Sequence, residues 1–341
     1  MTGAGPADGP PRPGEAAEVA PGILWLRLPL PMALDHVNVY ALDDGDGWTV
    51  VDTGLDTRES RAIWQDLLAG PLREKALKRI VVTHHHPDHV GLAGWLQGQG
   101  AALWTTRTAF LLARMLTLDV QERPVAQALA FWRAAGMPEA EIAGRAAERP
   151  FNFADVVAPI PPGHVRLKDG DGLTMGGRRW IVRMGDGHAP EHATFWCEDE
   201  PLVIGGDQFL PGITPNIGVY ATEPDADPLG EWLASCAAFG RHARPGQLVL
   251  PGHRRPFAGL PDRLQEMIAH HRRALDLLEA ALDEPRTAIG CFPVLYRRPI
   301  GPGEQGLALA EAVAHLNHLL RSGRATREMG PDGAWLWRRA G

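Results

Sequence analysis

With 341 residues, 45% of them hydrophobic and 11 of them tryptophan, the chain can fill one large core and carry an appendage. Its net charge of −7 argues against nucleic acid as the main partner, and no apolar run reaches the ~18–20 residues that cross a bilayer. Cys197, Cys236 and Cys291 are widely spaced and odd in number, as expected of free thiols in a reducing cytoplasm. Residues 1–21 are acidic and rich in Pro, Gly and Ala, with neither the basic start nor the apolar core of an export signal. A disordered leader is therefore expected there.

From Gly22 the pattern becomes strand-like. Ile23 to Leu28 and Val37 to Leu42 are apolar runs, and the turn Asp43-Asp44-Gly45-Asp46-Gly47 joins the second to Trp48-Thr49-Val50-Val51 as a hairpin. Helical spacing runs from Arg58 to Ala69 and stops at Gly70-Pro71. Then Ile80-Val81-Val82 passes into Thr83-His84-His85-His86-Pro87-Asp88-His89, a buried strand ending in a polar loop. His84, His86, Asp88 and His89 offer nitrogen donors and a hard oxygen, a set suited to zinc, manganese or iron. A helix opens near Gly91, and Ala101 to Trp104 is a short strand.

Residues 108–150 read as a helical insertion, with apolar residues at helical spacing around Phe110, Met115, Leu129 and Trp132. Strands resume at Val165-Arg166-Leu167 and Arg179 to Arg183, joined by a Gly/Asp-rich turn. Further on, Gly187-His188, Gly206-Asp207 and Gly252-His253 each stand at or soon after the end of an apolar run. Glycines there let the backbone turn so that the following side chain points inward.

His84-His85-His86-Pro87-Asp88-His89 has the H-x-H-x-D-H form of the metallo-β-lactamase superfamily, and the later His and Asp positions follow in that family's order over residues 22–260. The resemblance implies an α/β chain folded as an αββα sandwich, with the 108–150 insertion as a lid over the site. It implies that His84, His86 and His188 bind one divalent ion, that Asp88, His89 and His253 bind a second, and that Asp207 bridges them. Two Zn2+ ions are expected, with Fe or Mn as alternatives, and a bridging hydroxide as nucleophile oriented by Asp88. Asp52, in a Val-Asp-Thr-Gly turn, His85 and His192 would support the ligands. Glu191 stands where the family's loop usually has glycine. His36 and Asn38, near a rim loop, and Tyr220 are weaker candidates for substrate contact.

The retained Asp207 resembles the glyoxalase II and lactonase branches, which implies a small thioester, lactone or ester substrate. A phosphodiesterase or ribonuclease is the first alternative and a mononuclear iron oxygenase the second. Residues 261–341 read as a long helix from Pro261 to Leu282, a short one near Thr287, another from Leu307 to Leu320, and a strand–turn–strand. That order resembles the winged-helix appendage of several hydrolases of this fold. Its excess of arginine suits a solvated face that braces the lid or forms a homodimer contact better than one that reads nucleic acid.

Overall fold

A computed structural model describes residues 9–32, 34–296, 298–301 and 303–341. The chain forms β1 (Ala17–Ala20), β2 (Ile23–Pro29), β3 (His36–Asp43), β4 (Trp48–Val51), α1 (Arg58–Ala69), β5 (Leu77–Val81), α2 (Pro87–Val90), α3 (Ala93–Gln97) and β6 (Ala102–Thr106). The insertion supplies α4 (Arg107–Leu118), α5 (Ala126–Ala134) and α6 (Glu139–Ala146) before β7 (Val165–Leu167). Next come β8 (Gly172–Met175), β9 (Arg178–Gly185), β10 (His192–Cys197), β11 (Leu202–Gly206), α7 (Pro228–Gly240) and β12 (Leu248–Pro251). The last part holds α8 (Leu260–Ala281), α9 (Phe292–Leu295), α10 (Gln305–Arg321), β13 (Ala325–Met329) and β14 (Trp335–Arg339).

Two mixed sheets result. The first runs in order from β1 to β7, antiparallel up to β4 and parallel beyond it. The second has the order β12-β11-β10-β9-β8, with only β11 and β12 parallel. Period-two alternation decides which face each residue serves. Along β2, Ile23 and Trp25 face the second sheet and meet Trp180, Val182 and Phe195, whereas Leu26 and Leu28 pack under α1, α3 and α4 with Trp64, Leu96 and Phe110. The outer face of the second sheet is covered by α7, α8 and α10 through Trp196, Val203, Trp232, Leu264 and Leu316. The expected αββα layering is present.

Several expectations need correction. Part of the segment read as a leader is ordered: Ala17–Ala20 pairs antiparallel with β2 as an edge strand, and residues 1–8 lie outside the described residues. The Gly/Asp-rich stretch after Val165 is not a simple turn. It contains β8, so β7 closes the first sheet while β8 and β9 form a hairpin in the second. The carboxy-terminal helices and the β13–β14 hairpin occur in the expected order, but they do not stand apart. Leu278, Val313, Ala325 and Trp337 share one buried cluster with Phe131 and Ile142 of the insertion and Trp232 of α7.

Trp337 is fully buried, and its backbone N and O pair with those of Arg286 at 2.9 Å. Trp337→Ala is expected to cost about 3–5 kcal/mol and to lower a single cooperative unfolding transition. Two separate transitions in calorimetry would instead mark the hairpin region as an independent unit.

Candidate metal centre

Four loops at one end of the sandwich converge. β5 leads into Thr83 to His86, the β9–β10 connection carries His188, and β11 and β12 end just before Asp207 and His253. Strand β5 ends at Val81, well before Pro87, and Pro87 starts α2, so Asp88 and His89 sit on the first turn beside the histidines that follow the strand. Three groups of donor atoms lie within 4.8 Å of one another: His84, His86 and His188; His84, His89 and Asp207; and Asp88, His89 and His253. All seven residues expected as ligands are therefore brought together.

The separations fit donors arranged around a metal site. His89 Nε2 is 3.4 Å from Asp207 Oδ1, His188 Nε2 is 3.5 Å from Asp207 Oδ2, and His253 Nε2 is 3.2 Å from that same oxygen. His253 Nε2 also lies 3.3 Å from Asp88 Oδ2. Two ligands on one tetrahedral zinc, each ~2.0–2.1 Å from it, are ~3.3 Å apart. Most of these distances exceed a good N–H···O bond and match ligands sharing an ion. Three of the converging atoms, His89 Nε2, His188 Nε2 and Asp207 Oδ1, are buried without any hydrogen-bond partner, as atoms reserved for a metal would be.

The opposite ring nitrogens of His89, His188 and His253 are engaged. His188 Nδ1 donates to Asn216 O at 2.7 Å, His253 Nδ1 donates to His36 O at 2.8 Å, and His89 Nδ1 donates to Asp52 Oδ2 at 2.8 Å. Each bond fixes a tautomer that leaves Nε2 bare toward the centre. Asp52 also accepts from the Thr83 hydroxyl at 2.9 Å, and that hydroxyl stands 2.9 Å from His84 Nδ1. One buried carboxylate thus orients His89 directly and His84 through Thr83. It does so from a left-handed backbone, φ 64°, in a turn pinned by Trp64 Nε1 on Thr53 O.

Electrostatics separate the two sides. Burial and neighbouring imidazoles hold His84 and His86 well below the usual histidine range, so both are neutral with lone pairs available. Burial also opposes charge on His89 and His253, but the carboxylates of Asp207 and Asp88 outweigh it. They push His89 well up and His253 to about 10.

The remaining candidates divide. His192 lies against the donors: burial lowers it to about 3, its Nε2 accepts from Asp207 N at 3.1 Å, and its ring stacks on His84 at 4.5 Å. His85 turns away from the donors and faces the Phe153 ring at 6.4 Å. Asn38 is not a rim residue. It is 1% exposed, and its amide donates to Pro251 O and Arg254 O, bracing the loop that carries His253. The His36 ring is likewise engaged, accepting from Arg254 N and bonding to Asp35. Tyr220 is 50% exposed, with its hydroxyl folded back over Gly218. Glu191 adopts the positive φ of 49° that glycine would favour there, and its carboxylate accepts from Thr108 N, tying the His188 loop to α4. The part that Thr83 and Asn216 play in orienting His84 and His188 escaped the sequence reading, because neither a lone threonine nor a backbone oxygen carries a pattern.

The family described as the Metallo-beta-lactamase superfamily matches residues 32–253, and one described as the Metallo-beta-lactamase-like, C-terminal domain matches residues 275–340. The chain belongs to the metallo-β-lactamase superfamily. It resembles the solved structure of a beta-lactamase domain protein from Burkholderia ambifaria, with 35% identity, a TM-score of 0.85, and 98% of this chain and 97% of that one covered. It is also similar to a solved metallo-beta-lactamase family protein from Thermus thermophilus, with 32% identity, a TM-score of 0.78, and coverage of 94% and 100%. "Probable metallo-hydrolase YqjP" of Bacillus subtilis (strain 168) is 26% identical over 310 residues, which are 87% of this chain and 92% of that protein.

Asp52→Asn keeps the shape but presents an NH2 group where His89 Nδ1–H needs an acceptor. Metal affinity is expected to fall about 10–100-fold with the fold retained, read by competition against a chromogenic chelator. Gly252→Ala is expected to lower metal content too, because its Cβ would stand 2.2 Å from Asp207 Oδ1.

Proposed function

We propose that the chain is a hydrolase that holds two divalent cations and cleaves a small thioester, lactone or ester. The observation that carries the reading is Asp207, which lies within 3.5 Å of imidazoles from both donor sets. On this reading His84, His86 and His188 hold one ion, Asp88, His89 and His253 the other, and Asp207 serves both, since a carboxylate has two oxygens. Zinc suits the nitrogen-rich set, and manganese or iron would accept the same donors. When bound, such ions polarise a substrate oxygen and acidify a water.

The chain's own residues supply the rest. Asp88, held beside His253, orients the attacking water and takes up a proton on its way to the leaving group. Cys236 and Cys291 are buried, and burial pushes their thiols up, so neither serves as a nucleophile. Phe153 beside His85, with Phe151 against it, offers an apolar flank for the acyl part of a substrate, and half-exposed Tyr220 offers a hydrogen bond. The metallo-hydrolase name of the Bacillus subtilis relative supports the reaction class.

Nucleic acid fits poorly. Arg324 pairs with Glu279 and Asp276, Arg327 with Asp225, Arg339 with Asp283 and Arg298 with Glu304, so several of the appendage's arginines are already matched by acids, and the chain as a whole carries −7. We read the carboxy-terminal region as a brace and the setting as cytoplasmic, in keeping with three free cysteines. Among the described residues no helix is long and apolar enough to cross a membrane.

The test is a screen of metal-loaded protein against thioesters, acyl lactones, phosphodiesters and RNA, with a metal count on the same sample. Hydrolysis of a thioester, lactone or ester is expected, and Asp88→Ala is expected to reduce it about 10²–10⁴-fold. Activity confined to RNA or phosphodiesters, or one iron per chain with oxygen consumption, would overturn the reading.

A further inference from the structure

Three non-glycine residues among those described have a positive φ: Asp52 at 64°, Glu191 at 49° and Arg254 at 70°. Such a backbone costs a side chain free energy that glycine escapes, and it persists only where its surroundings impose it. Asp52 orients His89 and Glu191 ties down the His188 loop, so two of the three serve the candidate metal centre. The third, Arg254, directly follows His253 in the chain.

The Arg254 backbone is clamped from both sides. Its N–H donates to His36 Nε2 at 3.1 Å, and its carbonyl accepts from Asn38 Nδ2 at 2.7 Å. Because His36 Nε2 accepts, His36 Nδ1 carries the proton and donates to Asp35 at 2.5 Å. The His36 carbonyl takes His253 Nδ1, so one residue of β3 fixes both the ligand and the residue beyond it. The Arg254 side chain is not held in the same way. It is exposed, whereas His253 beside it is only 2% exposed. Among the described residues its guanidinium makes no hydrogen bond or ion pair. The charges around it are otherwise engaged. Asp35 is taken by His36 and by Arg27 at 3.6 Å, and Arg255 runs toward residue 9, its Nη2 standing 3.9 Å from where a Cβ on Gly9 would be.

We infer that Arg254 sets specificity at the rim of the metal centre, its guanidinium taking an anionic oxygen group, a carboxylate or a phosphate, on the substrate. This rests on the hydrolase reading above and narrows it to thioesters, lactones or esters that carry a negative charge. A guanidinium fork meets either group through two parallel N–H···O bonds. The clamped backbone keeps the origin of that fork next to a metal ligand, which places the charged end of a substrate relative to the bond that breaks. The turn itself gives no reason for an arginine, since glycine would fill it with less strain.

Matched substrates on metal-loaded protein test this. The pairs are butyryl against glutaryl thioesters and 4-nitrophenyl esters, and γ-valerolactone against γ-carboxy-γ-butyrolactone. Acetyl thioesters of ethanethiol, 3-mercaptopropionate and 2-mercaptoethyl phosphate place the charge on the leaving group and separate carboxylate from phosphate. In the class that is hydrolysed, a charged member is expected to exceed its uncharged counterpart at least ~10-fold in kcat/KM, chiefly through KM. Arg254→Gly is expected to remove that preference with circular dichroism and metal content unchanged, and Arg254→Lys to keep part of it. Equal turnover of charged and uncharged members by the wild type, or a preference that survives in Arg254→Gly, would overturn the inference and leave the hydrolase reading standing. No turnover of any member would overturn both.

Discussion

The site depends on one buried carboxylate. Asp52 accepts from His89 Nδ1 and from the Thr83 hydroxyl, and the latter contacts His84 Nδ1, so a single residue orients an imidazole in each donor set. An imidazole binds metal through only one nitrogen at a time, and the proton on the other decides which one. Without Asp52 the rings could rotate or change tautomer, and the donors would lose the geometry a cation requires. The turn that carries Asp52 is held in place by α1, through Trp64, and by the parallel pairing of β4 with β5. Packing on the outer face of the first sheet is thereby converted into the orientation of a histidine ring at its edge.

The second half of the chain plays the corresponding part for the other side. His188 donates to Asn216 O, and the segment that follows is pinned to α10 by Val219 N on Ala310 O. Helix α10 is in turn buried against α7, α8 and the β13–β14 hairpin. The carboxy-terminal region therefore backs the His188 side of the centre mechanically. Its shared core with α5 and α6 packs the insertion and the appendage, far apart in sequence, into one layer.

The parts of this architecture that could be read directly from the sequence are those with a strong local pattern. Helix α1 ends where its spacing and Gly70-Pro71 say it should, and the strand-to-histidine junctions announce the ligands because apolar runs rarely break into imidazoles by chance. Other elements carry weaker marks. Strand β10 begins at His192, inside a stretch that reads as ligand loop, and is buried on both faces, so it shows no alternation, whereas α7 carries Leu229, Trp232, Cys236 and Phe239 at helical spacing, a pattern that was there to be read. Strand β8 is a short run between glycines, and β1 sits in a Pro/Ala-rich segment, where only pairing with β2 makes it a strand. Asn38 shows the limit most plainly. Its position near a rim loop suggested substrate, whereas its hydrogen bonds go to residues 251 and 254, a contact across more than two hundred residues that no local pattern encodes.

The central claim is that Asp207 stands between two cation sites. Anomalous diffraction from crystals grown with zinc or manganese, collected on both sides of the metal edge, tests it most directly. The account predicts two anomalous peaks flanking the Asp207 carboxylate, ~3.5–4 Å apart, one against His84, His86 and His188 and the other against Asp88, His89 and His253. A single peak at full metal loading, or density for the metal away from Asp207, would contradict it.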